Sequence, residues 1–140
     1  MGVNNHMGSR GTADPGLMLA VLAEAERRGL VFVDSRTTPL SVVPGIADRV
    51  GLPWAARDVF LDNEPTADAV QARLAEAERV ARRHGSAIAI GHPYPATLAV
   101  LAGWLADAER RGVRLVTARS LARVEGCAGV VAVAAAGGCY

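Results

Sequence analysis

Ala25-Glu26-Arg27-Arg28-Gly29-Leu30-Val31-Phe32-Val33-Asp34 is the stretch on which the fold turns. It reads as the end of a helix, a stop and a buried strand. Arg27 and Arg28 set cations against the negative end of the helix dipole. Gly29 supplies a residue that accepts left-handed backbone, the common way for a helix to finish. Apolar residues then follow without alternation, as in a parallel strand covered on both faces.

The same order recurs along the chain. Ala108-Glu109-Arg110-Arg111-Gly112 leads into Val113-Arg114-Leu115-Val116. A looser copy from Ala77 ends in Arg82-Arg83-His84-Gly85 and leads into Ala87-Ile88-Ala89-Ile90. Val59-Phe60-Leu61 after Arg57-Asp58 and a stub before Asn4 bring the expectation to about five parallel strands. The helices between them are also legible. Asp14-Pro15 opens one, with a capping carboxylate and a proline at the first helical position. Thr66 caps a longer one with Val70, Leu74, Ala77 and Ala81 on one face. A third starts near Pro95, with Leu98, Leu101, Ala102 and Leu105 expected inward. A short helix is expected over Ile46 to Val50, with Pro44 and Gly45 arguing against an earlier start. Helix–strand alternation of this kind means α/β architecture.

The chain has 140 residues, 51% of them hydrophobic and 4% aromatic, so one core of Ala, Val, Leu and Ile is expected. The net charge of +1 gives no electrostatic case for nucleic acid or an anionic membrane surface. Residues 1–125 read as one domain and 126–140 as a Gly/Ala/Val-rich, poorly ordered tail. Cys127 and Cys139 fall in that tail, outside metal or redox spacing, and read equally as a disulfide or two thiols. Met1 to His6 is polar, so no signal peptide is read there. Val130 to Ala136 is too short to span a membrane.

Polar residues stand just after the strands: Asn4-Asn5-His6, Asp34-Ser35-Arg36, Asp62-Asn63-Glu64, His92, and Thr117 with Arg119. In parallel α/β folds the carboxyl ends of the strands carry the site. Imidazoles and carboxylates suit a divalent metal such as zinc. Such an ion polarises a carbonyl and lowers the pKa of bound water to about 7. Neither a Gly-rich phosphate loop nor Gly-x-Ser-x-Gly is present.

At these positions the chain resembles the divergent polysaccharide deacetylase family, relatives of the NodB-type carbohydrate deacetylases. The matching segments are Gly2 to Arg10, Phe32 to Thr38, Arg57 to Glu64, and Ala89-Ile90-Gly91-His92-Pro93-Tyr94-Pro95. The resemblance implies a distorted, here incomplete, (β/α) barrel binding a divalent metal, expected to be Zn2+. It implies hydrolysis of an N- or O-acetyl group on a carbohydrate, and a periplasmic or other extracytoplasmic setting. By position, His6 matches a metal-binding histidine. His92 matches a late histidine that either binds metal or protonates the leaving group. Asp34 and Asp62 match residues that orient histidine, arginine or substrate, with Arg36 as a partner for one of them. Such enzymes typically begin with a strand ending in Asp-Asp, which carries a metal ligand and a base. This sequence opens after that strand, and Arg10 stands where a His-x-x-x-His pair would end. The expectation is therefore a domain without its first strand, whose open sheet edge favours self-association. A non-catalytic fragment that binds a glycan or a partner is the alternative.

Blander readings stand beside these. His6 also suits a turn histidine, and His92 a turn before a helix. Asp34-Ser35 also reads as an ordinary turn, and Asp62 to Thr66 as a loop leading to a helix cap. His84 reads as a dipole-complementing residue. Trp104 reads as packing, while Trp54, placed in a loop, reads as packing or a sugar platform.

Overall fold

The structure, a computed structural model, describes residues 1–123 and the backbone of 133–135. The chain divides into two compact units, each assembled from two separate segments. The first joins Met1–Ala56 to a segment starting at Arg119. The second joins Arg57–Ala118 to a later segment that holds Val133–Ala135.

In the first unit, β1 (Gly2–Asn4), β2 (Val31–Asp34) and β3 (Trp54–Ala56) form a parallel sheet in the order β1-β2-β3. The short helix α1 (Ser9–Thr12) precedes α2 (Pro15–Arg27). The Asp14 carboxylate caps α2 by accepting from the Leu17 N–H at 2.9 Å, and Gly29 ends it with φ 64°. Helix α3 (Val43–Val50) packs with α2 over Phe32, burying Met18, Leu22, Val43, Ile46 and Leu52. Trp54 and Arg123 exchange backbone hydrogen bonds of 3.0 and 2.8 Å, which ties the returning segment to β3.

In the second unit, β4 (Val59–Phe60), β5 (Ala87–Ile90) and β6 (Val133–Ala135) form another parallel sheet, in the order β4-β5-β6. Helix α4 (Ala67–His84) is capped by Thr66 and closed by Gly85 at φ 88°. It buries Val70, Leu74, Ala77 and Ala81, the four residues expected from the spacing. Helix α5 (Pro95–Asp107) lies on α4. Trp104 Nε1 donates to Glu78 Oε1 at 2.8 Å, and Arg111 Nε donates to the same oxygen at 2.8 Å.

Several expectations need correcting. Val113 to Val116 is not a strand; only Leu115 makes an isolated bridge, and Glu109–Arg111 is a 3-10 turn. Two strands went unread: β3, which takes Trp54 out of a loop, and β6, which lies inside the span read as a tail. Helix α3 starts at Val43, ahead of Ile46. Pro44 sits in its first turn, where a missing N–H costs nothing. The inner face of α5 was misread. Leu98, Ala102 and Leu105 are exposed, and Thr97, Leu101, Trp104 and the following Ala108 face the protein. The helix is apolar nearly all round, so periodicity does not fix its rotation. Two hydrogen bonds do, from Thr97 to Asp62 and from Trp104 to Glu78. The parallel α/β architecture holds, but each described sheet is small and open, with no closed barrel among the described residues. No helix of the described residues is long and apolar enough to cross a membrane. The remaining tail positions, Cys127 and Cys139 among them, lie outside the described residues.

Candidate functional site

Each unit carries a polar cluster at the carboxyl ends of its strands. In the first, Asn5 follows β1 and accepts from the Ser35 N–H through Oδ1 at 2.8 Å. The Asn4 amide donates to Ser35 Oγ at 3.3 Å. Asp34 ends β2 and is 1% exposed. Its Oδ1 accepts from the Arg36 N–H at 2.8 Å, and its Oδ2 accepts from Ser41 Oγ at 2.7 Å. This is an Asx turn, and it holds the chain while Arg36 adopts φ 49°. Both carboxylate oxygens thus shape the loop. The bond to Arg36 runs to its backbone, and the Arg36 side chain is exposed. His6 is exposed on the loop after β1, beside Met7 at φ 55°.

The second cluster joins the ends of β4 and β5. Asp62 stands two residues past β4 and is 4% exposed. Its Oδ2 accepts from the His92 N–H at 2.5 Å and from Thr97 Oγ1 at 3.0 Å. Its Oδ1 lies 3.0 Å from His92 Nδ1. A carboxylate accepts and does not donate, so the ring contact is Nδ1–H giving to Oδ1, which in a neutral imidazole makes Nε2 the acceptor nitrogen. The His92 side chain is 31% exposed and flanked by aromatic rings. Phe60 meets it edge-on at 5.5 Å and Tyr94 is tilted at 5.0 Å. Burying a carboxylate is costly unless it is well bonded, and the bonds at Asp62 supply that compensation.

Gly91 makes this closeness possible. A Cβ there would lie 3.1 Å from Asp62 Oδ2 and 3.2 Å from the Leu61 Cβ. Asp58 adds register below the site, since its Oδ2 accepts from the Ile88 N–H at 2.7 Å.

The structure therefore pairs Asp62 with His92 and places Asp34 in a loop-shaping role beside Arg36. The sequence reading placed Asn5 at a strand end with the other polar residues, and missed Thr97 and Ser41 as members of these clusters. Thr97 left one signal: it is a hydroxyl residue in the first turn of an otherwise apolar helix that follows His92. Ser41 left none, although its partner Asp34 is only seven residues away, because nothing local marks a serine as the partner of a buried carboxylate.

Imidazole backed by a carboxylate is a familiar metal-ligand arrangement, and His92 with Asp62 has that form. Among the described residues, however, no three His, Cys, Asp or Glu side chains group around a common point that an ion would occupy. The described donor set does not complete a metal centre.

The sequence profile of divergent polysaccharide deacetylases matches residues 1–122. The chain belongs to the divergent polysaccharide deacetylase family. It is similar to an uncharacterized protein of Haemophilus influenzae, 48% identical over 101 residues, which is 72% of this chain and 36% of that protein. The uncharacterized protein YibQ of Escherichia coli is 41% identical over 101 residues, or 72% of this chain and 32% of its own length. The crystal structure of an uncharacterized protein from Agrobacterium tumefaciens C58 superposes with a TM-score of 0.84 at 32% identity, covering 86% of this chain and 49% of the other. This divergent polysaccharide deacetylase sequence spans about a third of the curated relatives' length.

Proposed function

We propose that this chain carries part of the site of a metal-dependent hydrolase that removes acetyl groups from a carbohydrate. The observation that carries the reading is the buried Asp62 that holds His92 by its backbone N–H and by its ring at the end of parallel strands. In this reading His92, steered by Asp62, takes up at Nε2 the proton that the attacking water gives up and hands it to the sugar nitrogen or oxygen as the bond to the acetyl carbon breaks. A water oxygen ends in the acetate. A positioned acid of this kind is worth about 10²–10⁴-fold in rate.

The divalent metal, zinc by the chemistry of imidazole ligands, belongs to the proposal, with His6 and His92 as the positions offered to it. Its further ligands are not grouped among the described residues, so no step is assigned to it. The incomplete or distorted barrel, the single domain over residues 1–125, the periplasmic setting and self-association through the β1 edge stand as proposals of the same kind. Asp34 and Arg36 enter as residues that shape the loop after β2.

Acetate release from acetylated amino-sugar oligomers tests the reading, with zinc content measured on the same samples. The expected result is release that falls about 10²–10⁴-fold in His92→Ala. Release unchanged in His92→Ala would overturn the assignment. Oligomer binding with no acetate release would favour the non-catalytic, glycan-binding alternative. Zinc content equal in wild type, His6→Ala and His92→Ala would remove both histidines as ligands.

A further inference from the structure

We propose that Thr97 is a positioning residue that acts through Asp62 to hold the His92 ring in one tautomer and one orientation. The inference rests on the reading of His92 given above for its functional meaning, and on geometry alone for its physical content.

The Asp62 carboxylate is kept from turning by different partners at its two oxygens. Asp62 has two oxygens, and the ring needs Oδ1. Oδ2 already has two donors. The Thr97 hydroxyl, 1% exposed, donates to it at 3.0 Å. The His92 N–H donates to it at 2.5 Å. Gly91 lies beside it, so close that an added methyl group would stand 3.1 Å from Oδ2. The one donor left for Oδ1 is the ring Nδ1–H at 3.0 Å. Without the Thr97 hydroxyl, a buried Oδ2 is one donor short. Rotation about Cβ–Cγ then recovers bonding at the expense of the ring contact. Asp62 comes from the end of β4, His92 from the end of β5 and Thr97 from the first turn of α5. The hydroxyl thus links the docking of α5 to the setting of the ring.

A plain anchoring role for Thr97 predicts lost stability and an unchanged ring. The positioning role predicts a changed ring in a folded protein. Ring 15N spectra of the full chain with labelled histidine separate the two. The measurement is made after metal removal, at a pH where imidazole is neutral, with His92 assigned through His92→Gln. Wild type is expected to give one protonated-type and one lone-pair-type nitrogen, widely separated. In Thr97→Val the two resonances are expected to move toward each other, as tautomers mix, and Thr97→Ser is expected to restore the separation. Wide separation persisting in Thr97→Val overturns the proposal. Should Thr97→Val not fold, Thr97→Ala against Thr97→Ser gives the same contrast with less crowding. Loss of the fold in both Val and Ala variants assigns the hydroxyl to the fold and overturns the proposal as well. The ring signature needs no turnover. Absence of acetate release by wild type therefore sinks the proposed function and leaves this inference standing.

Discussion

Gly91 directly follows β5 and Gly45 lies within α3, and the space around them assigns them opposite roles. A side chain at Gly91 runs into the Asp62 carboxylate and the Leu61 side chain. Neither neighbour can yield easily, since one is hydrogen-bonded and the other is buried. Gly91→Ala is expected to destabilise the protein by about 1–3 kcal/mol, as overpacking of a tight site does. It is also expected to weaken the Asp62–His92 contact. Gly45 lies inside α3, with nothing within 4 Å of where its Cβ would stand. Gly45→Ala is expected to stabilise by roughly 0.5–1 kcal/mol, from helix propensity and reduced freedom of the unfolded chain. Denaturant melts of the two variants check the contrast. From sequence, Gly91 reads only as a turn former before Pro93, because the crowding comes from β4, some thirty residues earlier by roughly the spacing a strand–helix–strand unit needs. His92 was legible by its strand-end position. Thr97, which is buried and donates to the Asp62 carboxylate behind His92, was not, since a hydroxyl in a helix's first turn is ordinarily read as a capping accessory.

At the scale of elements, the ends of the helices were the most legible part of this chain, because local chemistry decides them. Asp14 caps α2 as its type and position require, and Asp14→Ala is expected to cost about 1 kcal/mol in a thermal melt. The opposite end of α2 carries a pH signature. Hydrogen bonds from Arg27 and then Arg28 hold the Glu24 carboxyl down from 4.5 to about 2. A group depressed in the folded state stabilises above its unfolded value and loses that effect as acid protonates it. The Glu24 contribution is therefore present above pH 4.5 and fades as the pH falls toward about 2. Glu24→Gln is expected to melt slightly below wild type near neutral pH and level with it at the acid end, a small effect because the ion pairs are exposed. Element faces were legible where polar and apolar residues alternate at helical spacing, as in α4. They were not in α5, where Leu98 and Leu105 are as apolar as Leu101. Val113 to Val116 fails as a strand for a related reason. The Glu109–Arg111 turn copies the helix ending of Ala25 to Gly29, but Arg114 interrupts the apolar run that made Leu30 to Val33 a strand.

For the whole molecule, the α/β class and the parallel direction of the strands followed from the repeated helix–stop–strand order. The division into two units did not, since each unit depends on a late segment whose sequence carries no periodic signal. The two tryptophans give each unit its own probe: Trp54 donates to Asp48 in the first, and Trp104 to Glu78 in the second. Ending the chain at residue 132 removes β6 and opens the edge of β5. In that truncation, the unfolding midpoint seen by Trp104 (in a Trp54→Phe background) is expected to drop. The midpoint seen by Trp54 (in a Trp104→Phe background) is expected to move less. Greater self-association is expected alongside, because an uncovered strand edge pairs with other chains. The Trp54–Arg123 ladder has a different implication. The first unit starts at Met1 yet recruits Arg123, and the second is interrupted before β6 arrives. Neither unit is encoded by one uninterrupted stretch of gene. A recombination event at the junction after Ala56 would transplant an incomplete piece in either direction, so the two units are bound to be inherited together.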